Sequence, residues 1–274
     1  MKPMVWTALK YVLLFLGVVI MATPFVYMLS TSLKGPVYTF EYPPRLIPKE
    51  PTLSNFVEAW STQNFGLYFR NSLIVAITAT LLSALLSAML AYAFARFDFK
   101  GKEFFFYVLL VALMIPGMTL LIPQFLLAKT LGLRNSLWGL ILMYVTNNLS
   151  LNTFLLRGFF EQLPRDLEES VLIDGGWYFT IFFRIVLPLS KPALATVSIF
   201  TFLFCWDEYI WATVAIDEVS KRTLPVAIAT FYTAHRTQWG LIFAASLIAF
   251  TPVLITYIAL QKYFIKGLTA GAFK

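Results

Sequence analysis

Six windows of this chain carry no Asp, Glu, Lys or Arg at all: residues 11–33, 71–95, 104–128, 135–156, 192–206 and 237–261. A helix that crosses a bilayer needs about 20 mainly apolar residues. In lipid every backbone N–H and C=O must find its partner within the segment, so runs this long predict helices and not strands. The fifth window is short, but it runs on past Asp207 and Glu208 through "YIWATVAI". The pattern predicts an all-α integral membrane protein with six transmembrane helices over 11–33, 71–95, 104–128, 135–156, 192–216 and 237–261. These form one transmembrane domain over 1–274. Charged residues make up 13% of the chain, against about 25% in soluble domains, and nothing in it suggests a separate soluble domain.

The first window follows Lys2 and Lys10, as a secretory leader would. It is too long for one, and "VIMATPF" lacks a small-x-small cleavage site, so it is read as a retained span. With the N-terminus inside, short basic loops such as "ARFDFKGKE" fall on the inner side, as the positive-inside rule requires. Both termini and the segment 157–191 are then cytoplasmic. Inner-loop positives facing anionic lipid account for the net charge of +7. No basic run with interleaved aromatics points to nucleic acid.

Little here supports catalysis. Cys205 is the only cysteine and His235 the only histidine, and no phosphate-binding G-x-x-x-x-G-K-[ST] occurs. No catalytic residue, metal ligand set or cofactor is expected in this chain.

Two spans carry packing signals. Ala79, Ser83, Ser87, Ala91 and Ala95 recur every four residues in the second, a stripe that lets another helix approach closely. Packing within the subunit is its expected use, and a subunit contact is the alternative. Pro116, Gly117 and Pro123 permit bending of the third.

The polar segment 157–191 is the exception to the apolar pattern. "PRDLEESVLID" puts Pro at a helix start and Asp166, Glu168 and Glu169 in the early turns, where the helix dipole favours acids. Gly175 or Gly176 then supplies the left-handed residue that ends a helix. Phe179, Phe182, Phe183 and Val186 follow at i, i+3, i+4 and i+7, marking a second helix with an apolar face. Pro188 and Pro192 interrupt it. The reading is a helix–Gly turn–helix on the inner membrane surface: either an interfacial loop or a rigid knob that docks into another protein.

That segment, "LPRDLEESVLIDGGWYFTIFFRIVLPLSKPAL", resembles the cytoplasmic signature loop of ABC importer permeases. Glu169, Asp174, Gly175, Ile185, Leu187 and Pro188 match its motif. Ser170 and Val171 stand where the family usually has two alanines, and Gly176 where it usually has Ala. "PPRLIPKEPTLSNFVEAW", "FRNSLIVA", "IPQFLLAKTLGLRNSLWGLIL", "TLPVAIATF" and "QKYFIKGLTAGAFK" are similar to segments of the carbohydrate-uptake branch.

The resemblance implies the type I importer permease fold in a prokaryotic inner membrane. It implies a second homologous permease subunit, two ATPase subunits that bind ATP and Mg, and an external solute-binding protein. On this reading Glu169, Ser170, Asp174, Gly175, Gly176, Leu187 and Pro188 form the ATPase-coupling loop. The branch carries oligosaccharides, other sugars and glycerol phosphates. An ion-coupled secondary transporter would instead bury ionisable groups near mid-membrane, and the uncharged windows offer none.

For the solute path the sequence offers Asn147, Asn148 and Asn152 in the fourth window and Trp206, Asp207 and Tyr209 in the fifth span. An amide without a partner is costly in lipid, and aromatic faces beside amides suit a sugar. Interfacial aromatic belts and interhelical amide bonds are the competing use. That use is favoured for Asn147 and Trp211 and is evenly balanced for Asn148, Asn152 and Trp206. Asp207 and Glu208 tilt the expectation towards a neutral sugar.

Overall fold

The computed structural model describes residues 2–37, 42–43, 45–61, 64–231 and 237–270, so His235 lies outside the described residues. In chain order come α1 (Lys2–Ser32), α2 (Ser54–Ser61), α3 (Phe65–Arg96), α4 (Lys102–Met114), α5 (Leu121–Thr130) and α6 (Leu137–Phe160). Then follow α7 (Asp166–Ile173), α8 (Tyr178–Ile181), α9 (Leu187–Leu189), α10 (Lys191–Asp207), α11 (Ile210–Ala215), α12 (Leu224–Thr230) and α13 (Trp239–Ala270). No strand occurs among the described residues.

Spans within α1, α3, α6 and α13 are long and apolar enough to cross a membrane; the number rises to six if each of two bent helix pairs is one span. One pair is the third window, bent where Pro116 and Gly117 permit it. Lys102–Met114 and Gly117–Thr130 meet at 99°, because Pro116 has no N–H to continue the first helix. The other pair is Tyr178–Leu189 with Lys191–Asp207, at 78°. The fifth span is also interrupted: α10 ends at Asp207, and α11 restarts at Ile210.

The chain divides into two units, one of Met1–Leu67 with Ala227–Thr251 and the other of Tyr68–Val226 with Pro252–Lys274. In the first, no residue in the most apolar window of α1 is buried. Asn55 of α2, fully buried, donates from Nδ2 to the carbonyls of Ser32, at 2.9 Å, and Lys34. Gly240 makes room for it, since a Cβ there would lie 2.7 Å from that Nδ2.

In the second unit the small-residue stripe of α3 is buried along its whole length. Ser83 Oγ accepts from Asn152 Nδ2 at 3.0 Å, and Ser87 Oγ donates to Leu149 O at 3.4 Å. The stripe therefore packs on α6 of the same chain, the first of its two expected uses. Its inner end joins one apolar cluster of Ala88, Ala91, Tyr92, Ala95, Leu156, Phe160, Ile181, Phe182, Val186 and Val197. That cluster unites α3, α6 and α10 with the polar segment.

Candidate functional site

Asp166, Glu168 and Glu169 occupy the first turn of α7. The helix ends at Asp174, and Gly175 has φ +77°. Gly175 N–H donates to Leu172 O at 3.1 Å and Gly176 N–H to Val171 O at 2.8 Å. This is the bond pair of a left-handed helix stop, and it satisfies carbonyls that the helix end would leave orphaned. The two glycines act differently. Gly175 has nothing within 4 Å of a built Cβ, so backbone angle alone selects glycine there. Gly176 is selected by space, because its Cβ would fall on Val171.

The second helix presents a different face from the one its spacing predicts. Ile181, Phe182 and Val186 are buried, whereas Phe179 is 66% and Phe183 52% exposed. The buried pair Phe182 and Val186 and the exposed pair Phe179 and Phe183 are each four residues apart, so the four aromatic and aliphatic residues lie on two neighbouring stripes and only one faces the core. A π-helical turn spans Phe182–Val186.

Outward, the elbow shows Glu169, Ser170, Asp174 and Gly175, with Ile173 (85% exposed) and Trp177 (72%) among them. Leu187 is half-buried against the apolar cluster, and Pro188 is exposed. Inward, Glu168 is nearly enclosed. Its Oε1 lies 2.6 Å from Arg96 Nε, with side-chain exposures of 7% for Arg96 and 12% for Glu168. Arg96 Nη2 also donates to Leu163 O at 2.9 Å, and Tyr92 OH to Glu168 Oε2 at 3.4 Å. Sequence reasoning missed Arg96 and Tyr92 altogether. The available signal was Arg96 standing at the inner edge of an uncharged window, opposite an acid-rich loop.

The residues that the sequence offers for a solute path separate. Asn152 is 1% exposed, and its Nδ2 donates to Ser83 Oγ and, at 2.8 Å, to Thr201 Oγ1. It links α6 to α3 and α10. Asn148 is half-buried and donates to Tyr144 O at 2.8 Å. Asn147 is exposed and accepts from Gln124 Nε2 at 3.4 Å. Trp206 is buried, stacked on Phe202 and edge-on to Phe69, with both ring centroids at 5.7 Å. Asp207 and Tyr209 are exposed.

Glu208, grouped with Asp207 by sequence, does something else. Its carboxylate accepts from Trp211 N at 2.7 Å, Ala212 N at 3.0 Å and Tyr144 OH at 2.7 Å. It caps the restarted helix α11 and ties it to α6.

Residues 83–270 match the model of the family described as "Binding-protein-dependent transport system inner membrane component". The chain is 36% identical to the trehalose/maltose transport system permease protein MalG of Thermococcus litoralis, over 97% of this chain and 98% of that protein. It is 34% identical to the diacetylchitobiose uptake system permease protein NgcG of Streptomyces coelicolor, over 98% and 89%. In fold it is similar to a chain from a bacterial ABC transporter that imports the acidic polysaccharide alginate, with TM-score 0.84 and 22% identity, covering 96% of this chain and 98% of that one. The chain belongs to the family of binding-protein-dependent transport system inner membrane components.

Proposed function

We propose that this protein is the membrane-spanning permease subunit of an ATP-driven sugar importer, and that the elbow from Asp166 to Leu189 seats a separate ATPase. The observation that carries the reading is the two-sidedness of the elbow. Ile173 and Trp177 stand out into solvent beside Glu169 and Asp174, while Ile181, Phe182 and Val186 are rooted in the helix cluster. Large apolar side chains on an exposed, well-braced turn mark a docking surface. ATP and Mg belong to the ATPase, with two such subunits, a second homologous permease and an external solute-binding protein completing the complex. Both termini and the elbow are cytoplasmic.

The proposed cargo is a neutral sugar, in keeping with the substrates named for relatives such as MalG and NgcG. Asn148, Asp207 and Tyr209 keep open surface and line the path. Asn152 and Trp206 hold the helices behind it. A carboxylate on the path disfavours an anionic cargo such as a glycerol phosphate.

Uptake in proteoliposomes holding the complete complex and the loaded binding protein tests this. Uptake should need internal ATP and survive collapse of proton and sodium gradients. Uptake that follows an ion gradient without ATP would overturn the proposal.

A further inference from the structure

The elbow is covalently continuous with α6 before it and α10 after it. Any displacement of the elbow must therefore reach those two helices through the chain. No such connection leads to α3, yet the elbow grips α3 through side chains. The grip is polar at its centre: Glu168 on α7 meets Arg96 at the end of α3, and the same guanidinium reaches back to the Leu163 carbonyl ahead of α7. One arginine thus holds both the entry to the elbow and its first helix. Tyr92, one turn above Arg96, donates to the second carboxylate oxygen.

Around this centre the grip is aromatic. The Tyr92 ring packs on Phe97 at 5.5 Å and on Phe182 at 5.4 Å, and Phe97 packs edge-on to Tyr178 at 5.0 Å. Tyr178 and Phe182 belong to the second half of the elbow, so α3 holds both halves. An ion pair this enclosed gains little net stability, since removing the charges from water offsets their attraction. What it supplies is a fixed geometry: a short charge-assisted bond tolerates little sliding or rotation, whereas an apolar contact slides more readily.

We propose that Arg96 and Glu168, with Tyr92, are positioning residues of the coupling step: they lock the elbow to the inner end of α3, so that its displacement moves α3, α6 and α10 as one body. The inference rests on the reading that the elbow seats the ATPase. A rigid-body step of this kind reaches the gate only through helices that cannot slip against the moving part.

Two measurements test it on the complete transporter. In a Cys205→Ser background, spin labels at Asp98, exposed just past the end of α3, and at Asp166, the start of α7, report the distance between the two. That distance should stay constant between nucleotide-free and ATP-bound states, and a change of several ångström overturns the proposal. Separately, Glu168→Gln should lower uptake per ATP hydrolysed by about tenfold, an ordinary coupling loss, while the ATPase still co-purifies. The exchange Arg96→Glu/Glu168→Arg should restore a substantial part of it. Unimpaired uptake per ATP in Glu168→Gln overturns the proposal, as does an exchange variant no better coupled than Glu168→Gln. Ile173→Asp, at the exposed tip, tests the underlying reading separately. If it leaves ATPase retention unchanged, the elbow is not the seat, whatever the label distance shows.

Discussion

Val171 Cγ1 occupies the space in which a side chain at position 176 would begin: a Cβ on Gly176 would stand 2.5 Å from it and 2.9 Å from the Val171 carbonyl oxygen. The branched residue and the missing side chain are complementary. They are also two of the positions at which the elbow departs from the pattern it resembles, so the two departures compensate for each other. Gly176→Ala alone should destabilise the elbow by about 1–3 kcal/mol, the usual cost of overpacking. Val171→Ala/Gly176→Ala should recover part of this, because the methyl contact goes and the carbonyl contact stays. Thermal unfolding of the purified complex reads both, and a double variant no more stable than Gly176→Ala would refute the pairing.

Gly175 should behave differently. Its φ of +77° and open surroundings make the penalty purely conformational. Gly175→Val should cost about 1–3 kcal/mol and lower uptake. Gly175→Asn, which tolerates the left-handed region better, should retain most of it. Equal uptake by the two variants would show that backbone angle is not the constraint.

Asn148 and Asn152 lie one helical turn apart and should part company. Asn152→Ala removes the bonds to Ser83 and Thr201. It should lower stability by about 0.6–1.7 kcal/mol, the range found for interhelical bonds in membranes, with KM for the sugar unchanged. Asn148→Ala should lower kcat/KM for uptake by about fivefold, the worth of one hydrogen bond, with stability little changed. A KM effect confined to Asn152→Ala would reverse these roles.

Glu208 accepts three hydrogen bonds, two of them from the backbone N–H groups of Trp211 and Ala212 in the first turn of α11. Glu208→Ala should destabilise the protein by about 1–2 kcal/mol, as loss of a cap does, and Glu208→Gln by less because an acceptor remains. If Glu208→Gln is the worse of the two, the charge matters for something other than capping.

The orientation is open to direct labelling. Gln162 and Ser220 are both exposed. Single cysteines there, in a Cys205→Ser background, should react from opposite sides of intact cells. Reaction of both with an impermeant reagent from outside would contradict the proposed topology.

The apolar windows and the glycine stop were legible in the sequence because each answers to a local condition. A bilayer dictates composition and length residue by residue, and a left-handed turn depends on the sterics of a single residue. The acids opening α7 respond likewise to a dipole within their own helix. The break at Pro116 was also readable as a place to bend, but its angle of 99° was not. Which side chains meet was decided elsewhere. Arg96 and Glu168 are 72 residues apart, and Asn152 finds its partners 69 and 49 residues away. Such pairs depend on the rotation and height of each helix against its neighbours, which packing sets collectively. The same rotation decides that Phe182 and Val186 are buried while Phe179 and Phe183 are exposed, a choice that their apolar spacing alone left open. A half-exposed amide and an amide in the packing look identical along the chain, and only the neighbouring helices tell Asn148 from Asn152.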